Sequence, residues 1–156
     1  MEIRRAREGD IGAIRKIHGD GIRDVCAKDY PPEVIAAWLA GRSDDRYLRQ
    51  IREDSFWVGI EKTCVAFGHV RIETARLESL FVDPPVLGQG HGAMLLSHLE
   101  GVALRAGVEV LSVDSSLTAR DFYARYGYEV REGDGSLVLA SGVKVFGVSM
   151  SKRLRA

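Results

Sequence analysis

The sequence predicts an α+β domain over residues 1–156, with a mixed, mostly antiparallel sheet flanked by helices. Three observations predict it. Helix-period stretches fill the first third of the chain. β-rich runs with short polar connections crowd the middle, at antiparallel spacing. A single apolar helix then carries the chain from a strand at 75–83 to another at 108–114, one parallel crossover in an otherwise antiparallel order.

The elements follow in order. "MEIRRA" (1–6) reads as a short edge strand. Asp10 is placed to cap a helix in which Ile11, Ile14, Ile17, Ile22 and Val25 recur at near-helical spacing, bent or interrupted by Gly19 and Gly21. "DYPPEVIAAWLA" restarts a helix with Pro31 and Pro32 at its first turn, and Asp44 can cap a third, "DDRYLRQIRE". "SFWVGIE" (55–61), "CVAFGHVRIE" (64–73) and "ARLESLFVD" (75–83) read as an antiparallel meander. "HGAMLLSHLEGVALRAG" (91–107) is helical, with Leu95, Leu99, Val102 and Ala106 on one face and Gly107 as its stop. A buried-type strand (108–114), a helix (117–127) and strands at 128–132, 136–140 and 144–152 complete the chain.

Composition bounds the function. Lys plus Arg and Asp plus Glu both total 22, so the formal net charge is zero and nothing asks for nucleic acid or an anionic membrane. No apolar run is long enough to span a bilayer, and the start lacks a signal-peptide core. Cys26 and Cys64 lie in no metal or redox spacing and read as reduced thiols, which points to a cytoplasmic protein. The four histidines show no i, i+4 helical pair, so no metal site is expected.

"VLGQGHGAMLL" (86–96) places Gly88, Gly90 and Gly92 at every second position before the long helix. Gly88, Gly90 and Ala93 satisfy G-x-G-x-x-G/A, and Asp114 ends the next strand where a ribose acid would stand. "DPPVL" separates the strand from the first glycine, however, and a dinucleotide fold needs several βαβ units where this chain has one. A triphosphate loop needs G-K-[ST], and His91 and Ala93 follow the glycines here with no lysine among them. Two readings remain. In one, the glycines bare the N–H groups of a helix N-terminus to a diphosphate. In the other, they only permit tight helix–strand packing.

Two segments then resemble the acetyl-CoA-binding core of the GNAT N-acyltransferase superfamily. "LESLFVDPPVLGQGHGAMLLSHLE" resembles its V-x-P strand end and [RQ]-x-x-G-x-[GA] loop, with Val82–Asp83–Pro84 and then Gly90 and Gly92. "SSLTARDFYARYGYEV" resembles N-x-x-A-x-x-F-Y-x-x-x-G-F, matched by Ser116, Ala119, Phe122, Tyr123, Gly127 and Tyr128. The motif's leading Arg or Gln is Leu87 here, and its Asn is Ser116. The resemblance implies the GNAT fold, with the two central strands splayed. It also implies an N-acetyltransferase that uses acetyl-CoA by direct amine attack in a ternary complex. Cofactor contacts would come from Leu80, Phe81 and Val82, from Leu87, Gly88, Gln89, Gly90, His91, Gly92 and Ala93, and from Ser116, Ala119 and Phe122. A homodimer is compatible with the family. A non-catalytic acyl-CoA binder on the same scaffold is the alternative.

Tyr123 stands where many family members carry the tyrosine that protonates the departing thiolate; a phenol suits that task. Glu78, expected on one strand face with Leu80 and Val82, is the candidate to take the proton of the ammonium, or else it pairs with Arg71. His69 is a second candidate, otherwise a buried, bonded core histidine. His91 would cap its helix or touch phosphate, and His98 would be exposed. Asp24, Tyr30 and Trp38 could line the pocket of a small-molecule or peptide amine, or simply belong to a helix face and core.

Overall fold

A computed structural model describes residues 1–155. The chain runs β1 (Glu2–Arg5), α1 (Ile11–Asp20), α2 (Pro32–Ala40), α3 (Asp44–Glu53), β2 (Ser55–Ile60), β3 (Cys64–Arg71), β4 (Arg76–Val82), α4 (His91–Arg105), β5 (Val110–Ser116), α5 (Arg120–Arg125), β6 (Glu129–Asp134), β7 (Leu137–Val138), β8 (Lys144–Val145) and β9 (Gly147–Arg153). The main sheet has the order β1-β2-β3-β4-β5-β9-β6, and β7 and β8 form a separate hairpin. All its pairings are antiparallel except β4–β5, the crossover bridged by α4.

The glycines in "HGDG" bend the first helix by close approach. After Asp20 the chain widens into a π-turn (Gly21–Val25) and tightens into a 3-10 turn (Cys26–Lys28). A Cβ on Gly21 would meet the Phe81 ring at 2.8 Å, and one on Gly19 would meet the Arg42 guanidinium at 2.9 Å. Both expected acidic caps are corrected. Asp10 makes no cap bond to α1; its carboxylate accepts from the Arg4 guanidinium and the Arg7 N–H. Ser43, not Asp44, caps α3, its Oγ accepting from Arg46 N–H.

The fifth strand lies two residues later than expected at both ends, and α5 is shorter than 117–127 because residues 117–119 form the turn into it. The expected strand 144–152 divides at Phe146, where the chain leaves the small hairpin and enters the main sheet. His98 is not exposed: its ring packs edge-on against Trp57, with centroids 4.3 Å apart.

The core has one cluster on each sheet face and a third beneath α2. The α4–α5 face holds Leu77, Leu95, Leu96, Leu99, Leu111, Tyr123 and Met150, with Leu80 and Val82 packed against it. The α1–α3 face holds Ile14, Ile17, Tyr47, Phe56, Val58 and Phe67, with Phe81 packed against it. Each fully buried Leu or Ile contributes roughly 1.5–3 kcal/mol, so α4 is fixed firmly enough to aim its N-terminus. Cys26 and Cys64 are free thiols.

Candidate active site

β4 and β5 pair only at Arg76↔Ser112 and Leu77↔Val113 and then part. Asp83 N–H donates to Val65 O across the β3 side at 2.8 Å. Strand alternation then turns the backbone groups of Phe81 toward β3 and those of Leu80 and Val82 toward the gap. The gap opens a cleft of about 740 Å³. Its lining comes from both faces of the sheet: Leu80, Val82, Phe122 and Tyr123 on one, His18, Tyr47, Phe67 and His69 on the other.

At the end of β4 the cleft meets the glycine loop. Gly88 and Gly90 adopt φ of +80° and +87°, and Gly90 is the N-cap of α4. A Cβ on either would meet nothing within 4 Å, so these glycines answer a backbone requirement and leave open space above it. Gly92 is packed more tightly, its Cβ position 3.3 Å from the Phe122 ring. Among the described residues, no backbone N–H from Gly88 to Ala93 donates to a protein acceptor. These free donors lie at the positive end of a fifteen-residue helix, an arrangement that fits a pyrophosphate without any help from the Leu87 side chain. Leu87, Gly88, Gly90, His91, Gly92 and Ala93 line the cleft, and Gln89 is exposed outside the lining. The His91 ring lies 3.9 Å from the Glu61 carboxylate. Ser116 and Ala119 also line the cleft, but the Ser116 Oγ is occupied in accepting Ala119 N–H at 3.1 Å.

Tyr123 borders the cleft with its ring nearly enclosed, 4% exposed, between Phe122 and Tyr128. Burial pushes its phenol pKa well up, so it is a proton donor throughout the working range.

Glu78 departs from expectation. Val70 pairs with Leu77 and His69 with Ser79, leaving Glu78 as the extra residue of a β-bulge. The bulge resets the alternation: Leu77 packs in the same cluster as Leu80 and Val82, so the regular strand alternation expected for Glu78 does not hold at this position. Nor does it pair with Arg71, whose Nε–H donates to Asp54 at 3.0 Å. Glu78 is exposed and lines the cleft.

His69 belongs to a pair that no motif revealed. Its Nδ1 lies 3.0 Å from the buried Asp54 carboxylate, and its ring stacks on Phe56 at 4.6 Å. A carboxylate only accepts, so Nδ1 carries the proton, and of the two neutral tautomers this is the one that leaves Nε2 as an acceptor. Burial alone would raise the Asp54 pKa, but the bonds from His69 and Arg71 outweigh it and hold the pKa below the usual carboxylate value. Asp54 and His69 are fifteen residues apart in sequence, and only the β2–β3 pairing unites them.

The expected acceptor residues divide. Trp38 lines the cleft. Tyr30 does not: its hydroxyl donates to Phe146 O and accepts Leu117 N–H, so it ties the β5–α5 turn to the β8–β9 junction. Asp24 is exposed on the π-turn and also lies outside the lining.

A strand edge left free by a splay, running into a glycine-cradled helix N-terminus, is what binding an acyl-CoA thioester requires. The protein is thus of the acyl-CoA-dependent transferase class. The profile of a family described as "Acetyltransferase (GNAT) domain" matches residues 26–152. The uncharacterized N-acetyltransferase YafP of Escherichia coli K12 is 30% identical over 129 residues, covering 83% of this chain and 81% of YafP. The peptidyl-lysine N-acetyltransferase YjaB of Salmonella typhimurium LT2 is 30% identical over 133 residues, covering 83% and 84%. The PaiA N-acetyltransferase of Thermoplasma acidophilum, solved with coenzyme A, superposes with a TM-score of 0.82 at 19% identity, covering 97% of this chain and 98% of PaiA. The chain belongs to the GNAT family of N-acetyltransferases, enzymes that transfer the acetyl group of acetyl-CoA. The dinucleotide reading falls with this, and Asp114, its ribose acid, is bound instead to Arg76. Among the described residues no helix is long and apolar enough to cross a membrane, and no cluster of His, Cys, Asp or Glu is placed to hold a metal ion.

Proposed function

We propose that the protein acetylates a primary amine, on a small molecule or a peptide, by direct attack on the thioester in a ternary complex. The observation that carries this reading is the cleft itself, which joins the glycine cradle to both faces of the sheet at the splay. Free N–H groups from Gly88 to Ala93 hold the pyrophosphate, and the free edge of Leu80 and Val82 pairs with the pantetheine arm as an added strand would. The Val82 N–H polarises the thioester carbonyl and holds the oxyanion as the amine attacks. As the tetrahedral intermediate collapses, the C–S bond breaks and Tyr123 gives its proton to the sulfur. An acetyl-cysteine route has no support: burial pushes the Cys26 thiol up to about 11, leaving it un-ionised and a poor nucleophile at neutral pH.

The incoming ammonium first loses a proton. Glu78, exposed at the cleft, serves directly or through water. A second reading rests on the Asp54–His69 pair, which presents an imidazole nitrogen held in the accepting tautomer. Tyr123 and Glu78 both line the cleft, which favours an enzyme over a non-catalytic acyl-CoA sensor. A homodimer is part of the proposal only as a state to be measured.

The test is acetyl-CoA turnover with amines, polyamines, amino acids and peptides, followed by free-thiol release, alongside thermal shifts with CoA and acetyl-CoA. Ligand binding stabilises the native state by mass action. Shifts with both CoA compounds and thiol release with some amine are expected. A shift without release from any amine would return the sensor reading, and no shift at millimolar concentration would remove the site.

A further inference from the structure

The acceptor end of the cleft is electropositive, although sequence reading looked for acids there. Two arginines, Arg42 from the α2–α3 turn and Arg46 from the first turn of α3, line it, and among the described residues neither is paired with a carboxylate. Arg42 is seated in the slot left by Gly19, donating to Arg15 O at 2.8 Å and Leu39 O at 3.3 Å, which leaves guanidinium donors to spare. The cleft's carboxylates are Glu78 and Asp114, and Asp114 is held by Arg76.

The Tyr47 oxygen is 2.7 Å from His18 Nδ1, and both residues line the cleft beside the arginines. In the tautomer that suits an anionic ligand, the Tyr47 hydroxyl donates to His18 Nδ1. The neutral ring then carries its proton on Nε2. Burial, with Arg42 and Arg46 adding to it, lowers the His18 pKa to about 3, so the ring stays uncharged at working pH. Phe67 and Phe81 wall the His18 ring at 5.8 and 4.7 Å. Among the described residues, two guanidinium groups without a carboxylate partner and the His18 ring thus line a cleft whose one carboxylate free of an ion pair is Glu78.

Resting on the acetyl-transfer reading above, we propose that the acceptor carries an oxyanion beside its amine. It is of the amino-acid class, with its carboxylate bound by Arg42, Arg46 and the His18 Nε2–H and its amine turned toward Glu78 and His69. The substrate's own charges then set its direction in the cleft: anion to the arginines, ammonium to the proton acceptors.

Two measurements test this. In the first, free amino acids and their α-carboxamides are compared as acceptors in wild-type protein and in Arg46→Ala and Tyr47→Phe variants. The acids should exceed the amides by about tenfold or more in kcat/KM, and both variants should erase the difference by lowering only the acids. Arg46 is exposed on α3 and Tyr47→Phe keeps the ring, so both variants retain the packing. In the second, N-acetylated amino acids and their amides are titrated into the CoA-bound protein by calorimetry, which needs no turnover. Tighter binding of the acids, lost in Arg46→Ala, is expected. Equal binding of acid and amide, or transfer to carboxylate-free amines in preference to amino acids, overturns the proposal while leaving acetyl transfer standing. Binding of the N-acetyl acids with no turnover on any amine would instead count against acetyl transfer alone.

Discussion

Arg76 on β4 and Asp114 on β5 are ion-paired across the last rungs that the two strands share. One step further on, the strands separate. The pair closes the vertex of the splay, with each side chain about a third exposed (35% and 37%). Solvent screening at that exposure limits the pair to under about 1 kcal/mol of stability. Asp114→Asn should therefore lower Tm by only a few degrees while raising the KM for acetyl-CoA, because the gap loses its fixed origin. An unchanged KM would show that the strands are held apart by packing alone.

Tyr123→Phe should lower kcat with little change in acetyl-CoA affinity, since the ring packing is retained and only the proton donor is lost. Thiol release under saturating substrates measures it. A variant with wild-type kcat would remove Tyr123 from the acid role.

Gly90→Val forces a β-branched residue to φ near +87° at the N-cap of α4, a conformation such residues avoid. Re-angled N–H groups should abolish the acetyl-CoA thermal shift. A circular dichroism spectrum like that of the wild type would show the fold retained. A preserved shift would sink the cradle assignment.

Glu78→Gln and His69→Gln separate the two proton acceptors. The variant lacking the working base should lose the acid limb of the kcat/KM profile and need a higher pH to regain rate. The other should keep the limb in place. Asp54→Asn should behave as His69→Gln if the imidazole is the base, because the amide cannot enforce the same tautomer.

His18 makes stability fall on the acid side. Its folded pKa, about 3, lies below the ordinary value of 6.5, so the unfolded chain binds a proton that the folded chain refuses. The contribution is full above pH 6.5 and is lost as pH falls toward 3, with a slope approaching about 1.4 kcal/mol per pH unit. Urea unfolding between pH 7 and 4.5 should show a shallower loss in His18→Gln than in wild type. Parallel slopes would place the acid sensitivity elsewhere.

What the sequence made legible was local or periodic: the meander, the lone crossover helix, and a glycine loop whose positive-φ positions no other residue suits. What it hid depends on cross-strand register. Glu78 looks as though it alternates with Leu80 and Val82 until β3 pairs and shows one residue too many. Asp54 and His69 carry no motif, and the sheet alone makes them neighbours. Tyr30 resembled a substrate aromatic because its two backbone partners, Leu117 and Phe146, lie far along the chain. The arginines of "GRSDDR" carry no motif, and the slot that seats Arg42 comes from a glycine on a different helix.

The cleft that crosses the sheet at the splay also has a kinetic consequence. On the proposed assignment the donor enters from the α4–α5 face and the acceptor from the α1–α3 face, so neither stands in the other's path. Product and CoA can depart in either order. Steady-state velocities then give intersecting lines in a double-reciprocal plot, and excess acceptor does not trap the spent carrier.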